Sequence, residues 1–530
     1  MDHETRGRSF EPVGVATVAR LRLSVQHLWT LLPLFAVAWL GFLRPIGLDF
    51  WWHLKAGQII VQTRQIPSVD ALSFTYTGQP FAYVQFWLSE VSYYLMLRVG
   101  GLPLVIALNS LLLVLCIWLI LQLCLEASHR TRIGALCSLV SALVMAPFCM
   151  VRPQLYSIVL FTVFYWILWG YREGHRDLLW WLPPLMTLWV NLHGAFLLGI
   201  ALIGLVWGCE TLRRMLHGPR EDVLEPAALV KLGLVLVLTA LACLLNPAGL
   251  RTLDLVSQLQ ASPAVRLFVT EWQVSNISDP AALLVFYGPL FVAVCVFFYS
   301  PRRLNLTELV LFLAFAVLGL TALRNGVWFV LMVTPMVARH LIDVETTLGL
   351  RELLRRPRWA WLERLRTRAA TRGAVTYNWP AWFILTCLAA ITVLLSPWVR
   401  PLLGMDRLGA QLVDKGTPVG AMDYMAAQHL VGNTFHPEEY GDYLIWRLWP
   451  QQRSFIDGRI HLFGESFVRD YLQTFGDPDW ETRLARYDIR YLLLPKTDAH
   501  SAFLLSSARQ SAHWVLMYED DVSVLFEKRS

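Results

Sequence analysis

The chain has 530 residues, of which 56% are hydrophobic and 16% are charged, and its formal net charge is +6. Because soluble globular proteins carry about 25% charged residues, this composition excludes an ordinary soluble enzyme and indicates that much of the surface faces lipid. The positive charge lies mostly in turns between apolar segments, where it is an orientation signal, so there is no reason to expect nucleic acid as a partner.

Apolar segments long enough to cross a membrane recur along most of the chain, since such a helix needs about 20 mostly apolar residues. Residues 1–24 are polar and are predicted to form a cytoplasmic tail. The apolar run that follows them has no small-residue cleavage site, which predicts an uncleaved first helix. We predict an α-helical polytopic membrane protein with about eleven transmembrane helices in a domain of residues 25–400. The segments are 25–43, 103–125, 133–150, 155–171, 178–192, 195–212, 229–246, 281–299, 306–323, 326–342 and 381–397.

Arginine is unevenly distributed between the turns, and an excess of Lys and Arg marks the cytoplasmic side. The even-numbered turns are the rich ones, and the richest is 343–380, which is predicted to be a basic cytoplasmic loop. One topology satisfies every turn. It places the N-terminus inside and the C-terminal block 415–530 outside, on the exported face.

The first predicted exported loop, 44–102, is long for a connection between two spans. Residues 51–63 and 81–101 each have apolar residues at helical spacing, and they predict two amphipathic helices lying in the membrane interface. The second also carries Gln85, Glu90 and Arg98, which argues against a span.

The block 415–530 alternates short strand and helix patterns, which predicts a small soluble α/β domain. Strands are expected at 453–459 and 489–495, and a hairpin at 514–528. The eight cysteines all lie in apolar segments, so they are interpreted as packing residues.

Polar residues collect at helix ends that the predicted topology assigns to the exported leaflet. Ionisable groups at membrane depth are costly and are usually functional or paired. A set of both signs on one face therefore predicts a single polar cavity that opens outward. Its candidates are Asp49, His53, Glu90, Arg152, Asn191, His193, Asn246, Glu271 and Arg324.

Each candidate also has a purely structural explanation. Asp49 follows a helix and could cap the next one. Arg152 and Arg324 could extend to lipid headgroups. His193 could be half of a helix-turn pair with Asn191, and Glu271 could be an ordinary loop acid.

Several segments resemble the GT-C superfamily of membrane glycosyltransferases. "LDFWWHLKAGQIIVQTRQIP" (48–67) is similar to the aspartate-led first loop of protein mannosyltransferases and lipid A aminoarabinose transferases, and "QPFAYVQFWLSEVSYYL" (79–95) resembles the segment that follows it. "RPQLYS", "WVNLHGAF" and "LLNPAGL" look like a bacterial branch of that superfamily. Two positions depart from the pattern, because the family's Asp-Glu pair is Asp49-Phe50 here and a phosphate-contacting lysine appears as Gln85.

The resemblance implies transfer of a sugar from a polyprenyl-phosphate donor to a glycan, lipid or protein acceptor at the outer face of a bacterial inner membrane. Asp49 is then the catalytic base, and Arg152, His193 and Arg324 bind the donor phosphate. Donors of this kind imply no metal and no cofactor.

Two other classes of function compete with this one. A non-catalytic lipid-binding or assembly subunit of an envelope complex is favoured by the two departures from the family pattern. A transporter would need broken helices and ionisable groups near the middle of the membrane, whereas most of the candidates lie at helix ends.

Overall fold

The computed structural model describes residues 25–220, 222–347, 379–405 and 412–529. The predicted cytoplasmic tail 1–24 and most of the predicted basic loop 343–380 lie outside the described residues. All nine candidate site residues lie within them.

Helices dominate the part of the chain before residue 403, and every predicted span overlaps one or two of them. Seven of the described helices are long and apolar enough to cross a membrane, and three shorter apolar ones accompany them. The protein is therefore a multi-pass membrane protein, while the count of about eleven stays a prediction. The principal helices are α1 Val25–Leu43, α2 Phe50–Thr63, α3 Trp87–Ser128, α4 Thr131–Val144, α5 Gln154–Arg172, α6 Leu182–Leu192, α7 Leu197–His217, α8 Pro226–Ala242, α9 Arg251–Ala261, α10 Pro263–Phe268, α11 Pro280–Tyr299, α12 Leu306–Thr321, α13 Gly326–Thr347, α14 Trp379–Leu395 and α15 Val399–Leu402.

The two helices predicted for the first loop are present. α2 matches the first, and the second forms the start of α3, which is broken at Gly100 and Gly101, where Gly101 has a φ of 66°. Gly57 allows α2 to cross α3 closely, because a Cβ at this position would lie 2.0 Å from the carbonyl oxygen of Glu90. The crossing fixes the beginning of α2, and with it Asp49, against the helix bundle.

The C-terminal part is a small α/β unit, as predicted. Its mixed four-stranded sheet has the order β1-β2-β4-β3, with β1 parallel to β2 and the other pairs antiparallel. Its elements are α16 Val419–Ala427, β1 Asn433–Phe435, α17 Glu438–Leu448, α18 Ile460–Thr474, α19 Trp480–Ala485, β2 Ile489–Pro495, α20 Ala502–Gln510, β3 Trp514–Glu519 and β4 Ser523–Lys528.

One strand prediction was wrong. Residues 453–459 form no strand, and only Ser454 makes an isolated bridge, to Ser73 of the first loop. The physical reason is that the polar groups of this segment bind side chains, as in Ser454 Oγ to Asp457 at 2.7 Å. The sheet instead uses 433–435, which the sequence analysis did not assign.

The C-terminal domain is packed onto the first loop. Phe50, Trp51 and Leu54 of α2 share a buried apolar cluster with Tyr443 and Leu444 of α17. A parallel bridge between Ile46 and Val413 brings the chain entering the domain beside the residues that precede Asp49. The junction between the two parts therefore lies directly at the candidate site.

Candidate functional site

Asp49 immediately precedes α2, but its side chain makes no capping hydrogen bond. It forms an ion pair with Arg152, with 2.8 Å between Oδ2 and Nε. The other oxygen, Oδ1, is buried and accepts no hydrogen bond from the described residues. Since buried polar atoms are normally satisfied, this oxygen is an open acceptor. The capping explanation of Asp49 is thus not what the structure shows.

Arg152 lies just before α5 and joins two carboxylates. Its Nη1 is 3.0 Å from Oε2 of Glu271, which follows α10. Arg324, just before α13, is 3.5 Å from the other oxygen of Glu271 and lies over the Trp272 ring. Negative and positive side chains therefore alternate through four residues. We call these residues the charged row: Asp49, Arg152, Glu271 and Arg324. The predicted convergence of these four residues is observed.

Two opposing effects set the pKa values of the two carboxyl groups in the charged row. Burial raises the pKa of a carboxyl group, and a neighbouring positive charge lowers it. Burial raises the pKa of Asp49, although Arg152 beside it acts in the opposite direction. Burial alone would also raise the pKa of Glu271, but Arg324 and Arg152 together hold it below its usual value. Glu271 is thus the fixed anion of the row, whereas Asp49 is the carboxylate that is easier to protonate.

Gln154 is a site residue that the sequence analysis missed, although it lies in the quoted "RPQLYS". Its Oε1 accepts a hydrogen bond from Arg324 at 3.0 Å. Its Nε2 is buried and donates to no acceptor among the described residues. A neutral amide gives no charge signal in a sequence, so only its position beside two arginines identifies it.

His53 and Glu90 form a separate buried pair, with 3.0 Å between Nδ1 and Oε1. The pair joins α2 to α3. The structure brings these two candidates to each other, and no ion pair links them to the charged row among the described residues.

The remaining candidates bind neighbouring helix ends. His193 Nδ1 lies 2.8 Å from Ser157 Oγ and accepts a hydrogen bond from the backbone of Ala195. Asn191 donates to the carbonyl of Leu245, and Asn246 donates to the carbonyl of Val190 at 3.0 Å. His193 and Asn191 make no hydrogen bond to each other among the described residues, so each is satisfied by other groups and not by the suggested helix-turn pair. The role of His193 toward a phosphate stays a proposal.

The C-terminal domain contributes groups that the sequence analysis did not select. A Cβ at Gly458 would lie 2.9 Å from Oδ2 of Asp442 and 3.5 Å from Cβ of Asp49. The side chains of Asp442 and Asp49 therefore both approach the backbone of residue 458. A residue with a Cβ at this position would force the Asp442 carboxylate to move, whereas glycine does not. The Gly458 N–H also donates to Oδ1 of Asp442 at 3.0 Å.

Asp442 and Glu438 are four residues apart on α17 and so lie on one face of it. Burial raises the pKa of Asp442 well above its usual value, and Asp457 and Glu438 add to the shift. Burial also raises the pKa of Glu438 to about 8, with Glu439, Asp457 and Asp49 adding to it and Arg152 opposing it. The domain thus directs two easily protonated carboxyl groups toward Asp49.

One cavity is lined by part of the charged row, and a second comes near the row without being lined by any of its four residues. A small one of about 170 Å³ is lined by Arg152, Gln154 and Glu271 together with apolar residues such as Phe148 and Val285. A larger one of about 670 Å³ lies in the C-terminal domain and reaches Leu48, the residue before Asp49. No cluster of three or more His, Cys, Asp or Glu in the described ranges could hold a metal ion.

No protein-family model matches the sequence, and no curated protein matches it either. Solved structures do match. An oligosaccharyltransferase of Archaeoglobus fulgidus, tethered with an acceptor peptide containing the NVT sequon, has a TM-score of 0.52 at 12% identity over 95% of this chain and 74% of that chain. The arabinofuranosyltransferase AftD from Mycobacteria has a TM-score of 0.51 at 14% identity over 96% of this chain and 42% of that one. ArnT from Cupriavidus metallidurans, bound to undecaprenyl phosphate, gives a lower TM-score of 0.46 at 14% identity over 95% of this chain and 97% of that chain.

At these identities the first two likenesses establish the fold. They extend through the helices and into the C-terminal domain, since they cover nearly the whole of this chain.

Proposed function

Because the chain has the GT-C fold of membrane glycosyltransferases, we propose that it moves a sugar from a polyprenyl-phosphate donor to an acceptor on the exported face of a bacterial inner membrane. The N-terminus is inside in this proposal. Residues 415–530 form the exported domain, and 44–102 form the exported loop beneath it.

The observation that carries the proposal is the position of the charged row between two cavities. The small cavity has apolar walls, a buried unpaired amide donor on Gln154, and the Arg152 guanidinium. Those groups suit a phosphate whose lipid chain leaves between apolar side chains. The large cavity begins beside Leu48, on the other side of Asp49.

Arg152 and Arg324 are proposed to hold the donor phosphate, with His193 as a further neighbour. Both guanidiniums are shared with Glu271, which fixes their positions before the donor arrives. A bound phosphate would compete with Asp49 for Arg152. Donor binding therefore weakens the Asp49–Arg152 pair and makes the carboxylate available.

Asp49 is proposed to act as the general base. The acceptor oxygen attacks the anomeric carbon, its proton passes to Asp49, and the bond between that carbon and the phosphate oxygen breaks. The electron pair of that bond leaves on the phosphate, where the two arginines stabilise it. The raised pKa of Asp49 makes it a stronger base than an exposed aspartate.

The test is transfer by the full chain in lipid nanodiscs, with a panel of radiolabelled polyprenyl-phosphate sugars and a membrane extract as the source of acceptor. We expect one donor to lose its label to an acceptor, and EDTA to have no effect. If no donor in the panel is consumed while undecaprenyl phosphate still binds, the non-catalytic lipid-binding or assembly subunit replaces the enzyme.

A further inference from the structure

The large cavity is closed mainly by the C-terminal domain, between α17 and α18. At its inner end lie Leu48, next to Asp49, and Phe268, three residues before Glu271. Its volume of about 670 Å³ falls within the roughly 300–1,000 Å³ typical of small-molecule sites. It therefore offers room for a ligand whose one end lies beside Leu48, the residue next to Asp49.

The walls of this cavity combine carboxylates with rings. The carboxylates are those of Glu438, Glu439, Asp498 and Asp521, and Lys415 and His500 are the basic residues that face them. Glu438, whose pKa of about 8 keeps it mostly protonated at neutral pH, adds little negative charge. The other three carboxylates still outnumber the two basic residues, so the cavity disfavours an anionic ligand, and all four carboxyl groups can accept hydrogen bonds from hydroxyl or ammonium groups. The lining thus selects against phosphates and uronic acids.

Part of the lining is apolar and aromatic. It includes Phe268, Tyr471 and Phe475, and the rings of Tyr471 and Phe475 meet edge to face with centroids 5.2 Å apart. Ring faces of this kind pack against the C–H surface of a sugar ring, while its hydroxyls turn to the carboxylates. The combination matches a neutral polyol.

Glu438 lines the cavity at the start of α17. The backbone N–H of Glu438 donates to the Tyr471 hydroxyl at 2.8 Å, which fixes the first turn of α17. Its carboxyl group accepts no hydrogen bond among the described residues, and it lies one helical turn before Asp442, whose Oδ2 and the Asp49 Cβ both approach Gly458. This carboxyl group therefore has free acceptor capacity on the cavity wall near Asp49.

We propose that this cavity is the acceptor site, that the acceptor group bound there is a neutral or cationic sugar, and that Glu438 binds the acceptor hydroxyl beside Asp49. The inference rests on the glycosyl transfer proposed above, and it adds the acceptor class and a contact residue. The donor sugar is lost from its phosphate as before, and the hydroxyl that Glu438 holds passes its proton to Asp49 as the new bond forms.

The experiment is saturation-transfer NMR on the full chain in nanodiscs with three probes. They are methyl glucoside, which is neutral, methyl glucosaminide, which is cationic, and methyl glucuronide, which is anionic. We expect signals from the first two and at least a tenfold weaker signal from the glucuronide. Equal signals from the glucoside and the glucuronide would overturn the proposed selectivity.

Two variants locate the binding. Glu438→Gln should weaken glucoside binding severalfold, and Leu472→Trp, which fills the cavity from a half-buried position, should abolish it. Glu465→Gln and Phe503→Trp are matched controls outside the cavity and should change nothing. Unaltered glucoside binding in both cavity variants would place the acceptor elsewhere.

A measurement of undecaprenyl-phosphate binding distinguishes failure of the acceptor-site proposal from failure of the proposed glycosyl transfer. Undecaprenyl phosphate should bind the two cavity variants as tightly as it binds the wild type, which also shows that both variants are folded. If the wild type binds the glucoside but no prenyl phosphate, the cavity is a sugar-binding site and the transferase proposal fails. If it binds prenyl phosphate but none of the three probes, the cavity assignment fails.

Discussion

Arg459 of the C-terminal domain donates a hydrogen bond to Asp70 of the first loop over 2.5 Å, and both side chains are fully buried. The same guanidinium makes two contacts of 2.7 Å to Asp457 and one of 2.8 Å to the Tyr83 hydroxyl. The arginine is therefore the polar centre of the junction that holds Gly458 against Asp49.

Replacing Arg459 by Met should destabilise the protein strongly. Removing one partner of a buried ion pair costs about 3–5 kcal/mol, because the other charges stay buried without compensation. Two carboxylates, Asp70 and Asp457, would be left in this state. The unfolding temperature of the full chain in nanodiscs should fall by several degrees.

Arg490→Ala is the control. It removes a guanidinium that is 58% exposed and paired with Glu527, so the free energy of unfolding should change by less than about 1 kcal/mol. Equal effects of the two substitutions would contradict the role of Arg459 at the junction.

Asp49→Asn keeps the shape of the side chain but removes its basicity. The fold should survive, and transfer should fall by the 10²–10⁴-fold typical of a lost general base, at about 25 °C. Asp254→Asn, on an exposed face of α9, is the control. Full activity of the Asn variant with a native donor extract would refute the role, whereas loss of folding would favour a structural one.

Arg152→Ala and Arg324→Ala should each weaken undecaprenyl-phosphate binding. A hydrogen bond to a charged group contributes about 1.5–3 kcal/mol, which corresponds to roughly a 10- to 150-fold higher Kd. Arg251→Ala changes an exposed arginine at the start of α9 and should bind normally. Unchanged binding in both site variants would assign the two arginines to lipid headgroups.

The ionisation of Glu438 should make stability depend on pH. Its pKa of about 8 in the folded chain exceeds the ordinary value of 4.5, so the folded state binds this proton more tightly than the unfolded state does. The resulting stabilisation is complete below pH 4.5 and is lost as the pH rises through 8. The unfolding temperature of the wild type, measured relative to that of Glu438→Gln, should therefore fall as the pH is raised from 5 to 9. A constant difference over this range would show that Glu438 does not carry the shift, and Glu465→Gln is the exposed control.

The orientation of the chain can be tested with reporter fusions. Fusions after Arg303 and after residue 530 should report opposite sides of the membrane, with the former cytoplasmic, because arginine-rich turns stay inside. Equal sidedness of the two fusions would overturn the predicted topology.

The sequence predicted where helices lie in the apolar part of the chain, and it selected four charged residues that the structure brings together. Apolar runs determine where membrane helices lie, and Asp49, Arg152, Glu271 and Arg324 were conspicuous because charge is costly at helix ends in lipid. The fold of the chain is also shared with an oligosaccharyltransferase and an arabinofuranosyltransferase.

The part that the sequence analysis missed depends on contacts between distant residues. Asp70 and Arg459 are separated by 389 positions, and neither residue alone indicates the other. Gly458 lies in a segment whose apolar pattern resembled a strand, yet in the structure its missing side chain leaves room for Asp442 beside Asp49. His193, Asn191 and Asn246 illustrate the opposite case, since polar residues at helix ends also satisfy neighbouring backbone groups.

The cavity lined by Arg152 and Glu271 and the cavity beside Leu48 have no lining residue in common. In the proposed reaction the donor and the acceptor can therefore be bound at the same time, and we expect a ternary complex. A sugar that passes directly from one site to the other is displaced once, with attack from the face opposite the departing phosphate. The glycosidic bond in the product should then have the anomeric configuration opposite to that of the donor.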